Sequence, residues 1–130
     1  MNQNYFANES QQLKKAIGSW VQDQTQICQI ADNAWEIVTF VQDAMGESIY
    51  CFVEQKDNYF RVGDDGRTLF KIDPSASDQN LLDSAEELIL ADGFEYDANT
   101  GEIWAQADEE SLVAVIMELV QLAAAISYLS

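Results

Sequence analysis

Trp35-Glu36-Ile37-Val38-Thr39-Phe40-Val41, Ser48-Ile49-Tyr50-Cys51-Phe52-Val53-Glu54 and Tyr59-Phe60-Arg61-Val62 follow one another with only short gaps between them. Each run is rich in β-branched and aromatic residues, and the gaps hold turn formers, Met45-Gly46 in the first and Lys56-Asp57-Asn58 in the second. Runs and gaps of this kind predict strands joined by tight turns. Connections so short reach only an antiparallel neighbour, so the segment predicts a β-meander. Ile27-Cys28-Gln29-Ile30, ahead of Asp32-Asn33, adds a strand in front; Thr68 to Ile72, after Asp64-Asp65-Gly66, adds one behind.

Outside the meander the period changes. Leu13, Ile17, Trp20 and Val21 recur at helical spacing behind the capping candidates Asn8 and Ser10, which predicts an amphipathic helix over residues 9–23. Beyond the loop Asp73-Pro74-Ser75-Ala76-Ser77-Asp78, residues Leu81, Leu82, Ala85, Leu88 and Ile89 share one helical face, and Asp92-Gly93 ends that helix. Phe94 to Asp97 and Glu102 to Ala105 bracket Ala98-Asn99-Thr100-Gly101 as a hairpin. Asp108-Glu109-Glu110 then opens a last helix with acids at its positive dipole end. The order is N-terminal helix, antiparallel meander, acidic helix, hairpin and long apolar C-terminal helix, an α+β fold. At 130 residues, 48 % of them apolar, the chain builds one core, so residues 1–130 are read as a single domain.

Charge divides the chain. Six Lys and Arg stand against 23 Asp and Glu, a net charge of −17, and all six cations precede Ile72. Such a field repels phosphate backbones and anionic membranes, so no direct nucleic-acid or membrane binding is expected. A protein partner with a basic surface fits it. There is no histidine, which removes the commonest general base near neutral pH and the commonest zinc ligand. Cys28 and Cys51 stand far apart in apolar runs and read as reduced core residues. Met1 to Glu9 is polar, without the basic and apolar regions of a secretory signal, so a cytoplasmic location is expected.

Three groups of acids invite a chemical reading. In Gly63-Asp64-Asp65-Gly66 the adjacent carboxylates suit a hard cation, but Asp-Gly is also the ordinary answer to a turn with positive φ, and a structural turn is the preferred reading. Asp97 to Gly101 begins like an EF-hand loop, yet its glycine falls one position early and a strand pattern replaces the second half. Neither metal nor cofactor is expected. On the acidic helix, Asp83, Glu86 and Glu87 ring Leu90 on the face opposite the core positions, a candidate partner-binding patch.

The last helix is apolar on more than one side. Leu112, Val115, Ile116, Leu119, Ala123 and Ile126 form a core face; Val113, Met117, Val120, Ala124 and Tyr128 form a second stripe, read as a homodimer interface. Glu118 near the middle of Leu112 to Leu129, with no flanking Lys or Arg, argues against a membrane span.

The aromatic strands leading into Asp64-Asp65-Gly66-Arg67-Thr68 resemble the bacterial and phage family known as domain of unknown function DUF1828, in which such a strand enters a D-D-G-x-T turn. The acidic helix, Glu102-Ile103-Trp104 and the last helix fall in that family's order, so the likeness extends over nearly the whole chain. It implies a bacterial or phage setting and carries no activity. The family usually has a proline between the positions of Thr39 and Phe40, which are adjacent here. In element order alone the chain also resembles type III secretion chaperones.

The composition and the likeness together lead to a non-enzymatic, acidic protein-interaction domain. One concrete form is a phage-type inhibitor that mimics nucleic acid on a host defence protein. A chaperone-like or antitoxin-like module that masks a protein partner is the alternative, and a carboxylate–metal enzyme stands third.

Overall fold

The computed structural model describes residues 3–129. Helix α1 (Gln3–Gln24) runs straight into four strands, β1 (Gln26–Ala31), β2 (Ala34–Gln42), β3 (Ser48–Gln55) and β4 (Phe60–Gly63). Two helices follow, α2 (Arg67–Ile72) and α3 (Gln79–Ala91), then β5 (Glu95–Tyr96), β6 (Ile103–Ala107) and α4 (Leu112–Ser127). The six strands form one antiparallel sheet in the order β1-β2-β3-β4-β6-β5. The meander and the later hairpin are therefore one layer, joined where β6 pairs with β4, and the fold is α+β.

Alternation along the strands assigns the faces. Ile37, Cys51, Val53, Val62 and Ile103 are buried together with Ile116, Leu119, Leu122 and Ile126 of α4, which lies across β2, β3, β4 and β6. From α3, Ala85 and Ile89 enter the same core, with Leu82 and Leu88 at its margin, as their helical spacing requires. The helix starts on Asp78, whose carboxylate accepts the backbone N–H of Leu81 at 3.1 Å.

Four expectations from the sequence are corrected. Thr68 to Ile72 is helix, not strand: Thr68 and Leu69 turn inward one after the other, Ile72 returns to the core one turn on, and Phe70 stays 65 % exposed. A run this short contains too few repeats for periodicity to separate the two readings. Helix α4 begins at Leu112, so Asp108-Glu109-Glu110 precede it. Asp108 accepts the N–H of Ser111 at 2.8 Å and donates its own N–H to the Ser111 hydroxyl at 3.1 Å, a reciprocal bracket that turns the chain into the helix.

Cys28 is exposed on β1, the outer strand, where all six residues are exposed. An apolar run does not record whether anything covers it. Finally, the second stripe of α4 does not survive as a surface. Val120 is fully buried beside Ile49 and Ala123, and Met117 and Ala124 are half-buried against the rest of the chain. Only Val113 and Tyr128 remain exposed, at opposite ends of the helix. Neighbours α2 and α3 flank α4 as well as the sheet beneath it, so more than one of its faces is filled.

No helix among the described residues is long and apolar enough to cross a membrane. Strand β2 runs unbroken through Thr39–Phe40, although its pairing with β3 shifts register between Val38 and Gln42. There the Thr39 hydroxyl donates to the Ile49 carbonyl at 2.9 Å, bridging the irregular stretch with a side chain.

Candidate functional site

The Gly63-Asp64-Asp65-Gly66 segment leaves β4 and enters α2. Asp65 and Gly66 both have positive φ, 55° and 75°, and a Cβ on Gly66 would sit 2.8 Å from the Thr100 carbonyl oxygen. Asp64 is buried, and its carboxylate is saturated from within the chain. One oxygen accepts the N–H groups of Gly66 and Ile103, both at 2.9 Å; the other accepts that of Thr68 at 3.1 Å. A side chain spent on three backbone donors is a structural tie between the start of α2 and β6. Among the described residues, no group of three or more Cys, Asp or Glu side chains could hold a metal ion. The Asp97 loop is also a turn, with the Asp97 carboxylate accepting Asn99 N–H at 2.9 Å.

A cleft of about 540 Å³ opens between the β2–β3 turn, α2 and the end of α4, with Asp43, Met45, Tyr50, Arg67, Phe70 and Lys71 in its lining. Asp43, Glu47 and Lys71 in its wall are already engaged with one another. The Lys71 ammonium lies 2.6 Å from Asp43 and 3.4 Å from Glu47. Asp43, itself buried, also accepts the N–H groups of Met45 at 2.9 Å and Glu47 at 3.0 Å. Burial pushes the Asp43 carboxyl upward, but Lys71 and the two backbone donors outweigh it and hold it below its ordinary value. The Asp43 partner in turn raises Lys71. These charges clamp the turn onto α2 rather than converge on an open point.

A second set of cations lies over aromatic rings. Arg61 lies 3.9 Å from the Trp104 ring centroid and pairs with Glu102. Arg67 lies 4.8 Å from Tyr50 and 5.1 Å from Phe52, with Glu36 at 3.9 Å. These contacts join residues distant in sequence, and no local spacing announces them.

The acidic helix is the reverse case. Asp83, Glu86 and Glu87 are exposed on α3 around Leu90, which is 58 % exposed. The ion pairs among the described residues use Glu36, Asp43, Glu47, Glu54 and Glu102, and none of the acids of α3. Their field reaches the hairpin: the Tyr96 phenol is pushed up, first by burial and then by the charges of Glu86 and Asp97. The sequence thus brings Asp83, Glu86, Glu87 and Leu90 to one open face, whereas Val113, Met117, Val120, Ala124 and Tyr128 are dispersed between core and surface.

The family model described as Domain of unknown function DUF1828 matches residues 39–126. The chain belongs to the DUF1828 family. Comparison with curated proteins and with solved structures gives no match. The DUF1828 match takes in the Asp64 turn, the Asp43–Lys71 clamp, the arginine–aromatic contacts and the acidic helix, and leaves α1, β1 and the first part of β2 outside. The family likeness is thus narrower than the nearly complete span expected from the sequence.

Proposed function

We propose that this chain is a non-enzymatic, cytoplasmic protein-interaction domain that engages a basic surface of another protein through the outer face of α3. The observation that carries the reading is the exposed Asp83, Glu86 and Glu87 around Leu90, with no cation paired to any of them among the described residues. An acidic field speeds encounter with a basic partner, and the central leucine adds a dry contact once docked. In its most specific form the partner is a host defence protein whose nucleic-acid groove accepts these carboxylates in place of phosphates.

The test is co-purification from a bacterial lysate with the wild type and with Asp83→Asn/Glu86→Gln/Glu87→Gln side by side. The reading expects a partner held by the wild type, eluted by salt, and bound at least tenfold more slowly by the triple variant. Duplex DNA displaces that partner if its occupied surface is a nucleic-acid groove. Equal association of wild type and triple variant at low salt removes the acidic face from the explanation.

A further inference from the structure

The arm formed by α1 and β1 leaves large apolar side chains open to solvent. On α1, Leu13, Ile17 and Trp20 are 64 %, 57 % and 54 % exposed; on β1, Ile27 and Ile30 are 64 % and 54 % exposed. Trp20 meets the edge of the Phe40 ring at 5.6 Å, and Phe40 is itself partly open. Five large apolar side chains in one continuous segment exceed the scattered exposed residues of an ordinary soluble surface.

Two further properties say what covers the arm. Strand β1 bonds to β2 on one side only, and Gln26-Ile27-Cys28-Gln29-Ile30-Ala31 holds neither a charge nor a proline, the usual devices that keep an edge strand from pairing. The arm is also neutral: up to Ala31, Lys14 and Lys15 balance Glu9 and Asp23, so the whole −17 falls on later residues. Two arms therefore meet without bringing like charge together at the contact.

Area agrees. The chain exposes 8587 Å², whereas a compact monomer of its mass exposes roughly 6,900 Å². The surplus has the sign expected of a chain whose arm packs against little of its own core.

We propose that the arm is a self-association surface whose occupant is the same arm of a second copy. The β1 strands pair antiparallel about a two-fold axis, extending the two sheets into one, and the Leu13–Ile17–Trp20 stripes are brought together beside them. Cys28, exposed near the middle of β1, then lies close to its counterpart across the axis.

Sedimentation of the full chain over a wide concentration range tests this with Ile17→Glu, Ile30→Lys and, as a control on exposed α4 surface, Val113→Glu. The replaced side chains are all exposed, and circular dichroism serves to check that each variant is folded. The wild type is expected to dimerise, Ile17→Glu and Ile30→Lys to dimerise at least tenfold more weakly, and Val113→Glu to match the wild type. A short bis-maleimide is expected to join native subunits through Cys28 and to lose that product in Cys28→Ser. A wild type that stays monomeric at every concentration overturns the proposal, as does a dimer broken by Val113→Glu but not by Ile17→Glu, or a cross-linking yield no higher than that of urea-unfolded chains.

Discussion

The Asp64 carboxylate accepts the backbone N–H of Ile103 at 2.9 Å, so a side chain at the end of β4 anchors the start of β6, far along the chain. With the same carboxylate also holding Gly66 and Thr68, removal of one side chain orphans three N–H groups. Asp64→Ala is expected to destabilise by about 3 kcal/mol, measured by urea denaturation. Asp65→Asn is expected to be nearly silent, because Asn tolerates the positive φ of that exposed position. Gly66→Ala combines positive φ with the approach to the Thr100 carbonyl and is expected to cost about 2 kcal/mol or more. Calcium or magnesium should produce no saturable rise in melting temperature, since both Asp64 oxygens already accept hydrogen bonds.

The clamp between Asp43 and Lys71 sets a pH dependence of definite sign. The Asp43 carboxyl is held below its ordinary value near 3.8, so its contribution to stability is present above that value and is lost as pH falls through the lower folded one. Lys71 is raised above 10.5, so its contribution is present below that value and fades as pH rises beyond it. Lys71→Met should therefore be less stable than wild type at neutral pH, and the difference should shrink on acidification below about pH 4. A stability gap that is independent of pH between neutrality and strong acid would assign the effect of Lys71 to packing instead.

These two ties explain what was legible in the sequence and what was not. The strands of the meander, the acidic helix and the hairpin announce themselves because their periodicity and turn residues are local signals. Asp64 is visible as a turn residue, but its bond to Ile103 depends on β6 lying beside β4, which no local pattern encodes. The same holds for Arg67 over Tyr50 and for Lys71 on Asp43. Thr68 to Ile72 reads as strand by composition and becomes helix because Asp64 holds the Thr68 N–H at its start and Leu69 finds the core. Val120 and Cys28 show the converse limit: apolar spacing marks a face, and only the packed fold decides that Val120 is covered by Ile49 while Cys28 is bare.

The two thiols should be distinguishable in the native protein. Cys51 is fully buried on β3, and burial pushes its thiol up to about 12, whereas Cys28 is exposed on β1. A chromogenic disulfide reagent near pH 8 is expected to titrate one thiol per native chain when the protein is dilute, and the second only in denaturant. The fast reaction should disappear in Cys28→Ser and persist in Cys51→Ala. Protection of Cys28 that grows with protein concentration would follow from pairing of the β1 arms.

Neutralising the open face of α3 should leave the fold intact and raise its stability slightly. Asp83 lies three and four positions before Glu86 and Glu87, so the three acids are neighbours on the helix surface and repel one another. Asp83 also accepts a hydrogen bond from Gln79 at 2.8 Å, which an asparagine oxygen can still accept. Asp83→Asn/Glu86→Gln/Glu87→Gln is therefore expected to gain about 0.5 kcal/mol at low salt, with the gain falling as salt screens the wild type. Tyr96 supplies an internal gauge of the same field. Burial is the main cause of its raised phenol and stays in place, but loss of the Glu86 charge should move the titration downward without returning it to an ordinary tyrosine. Ring NMR signals followed through alkaline pH would show this shift. An unchanged Tyr96 titration together with unchanged stability would mean that the acids of α3 are too well screened to make the field on which partner steering depends.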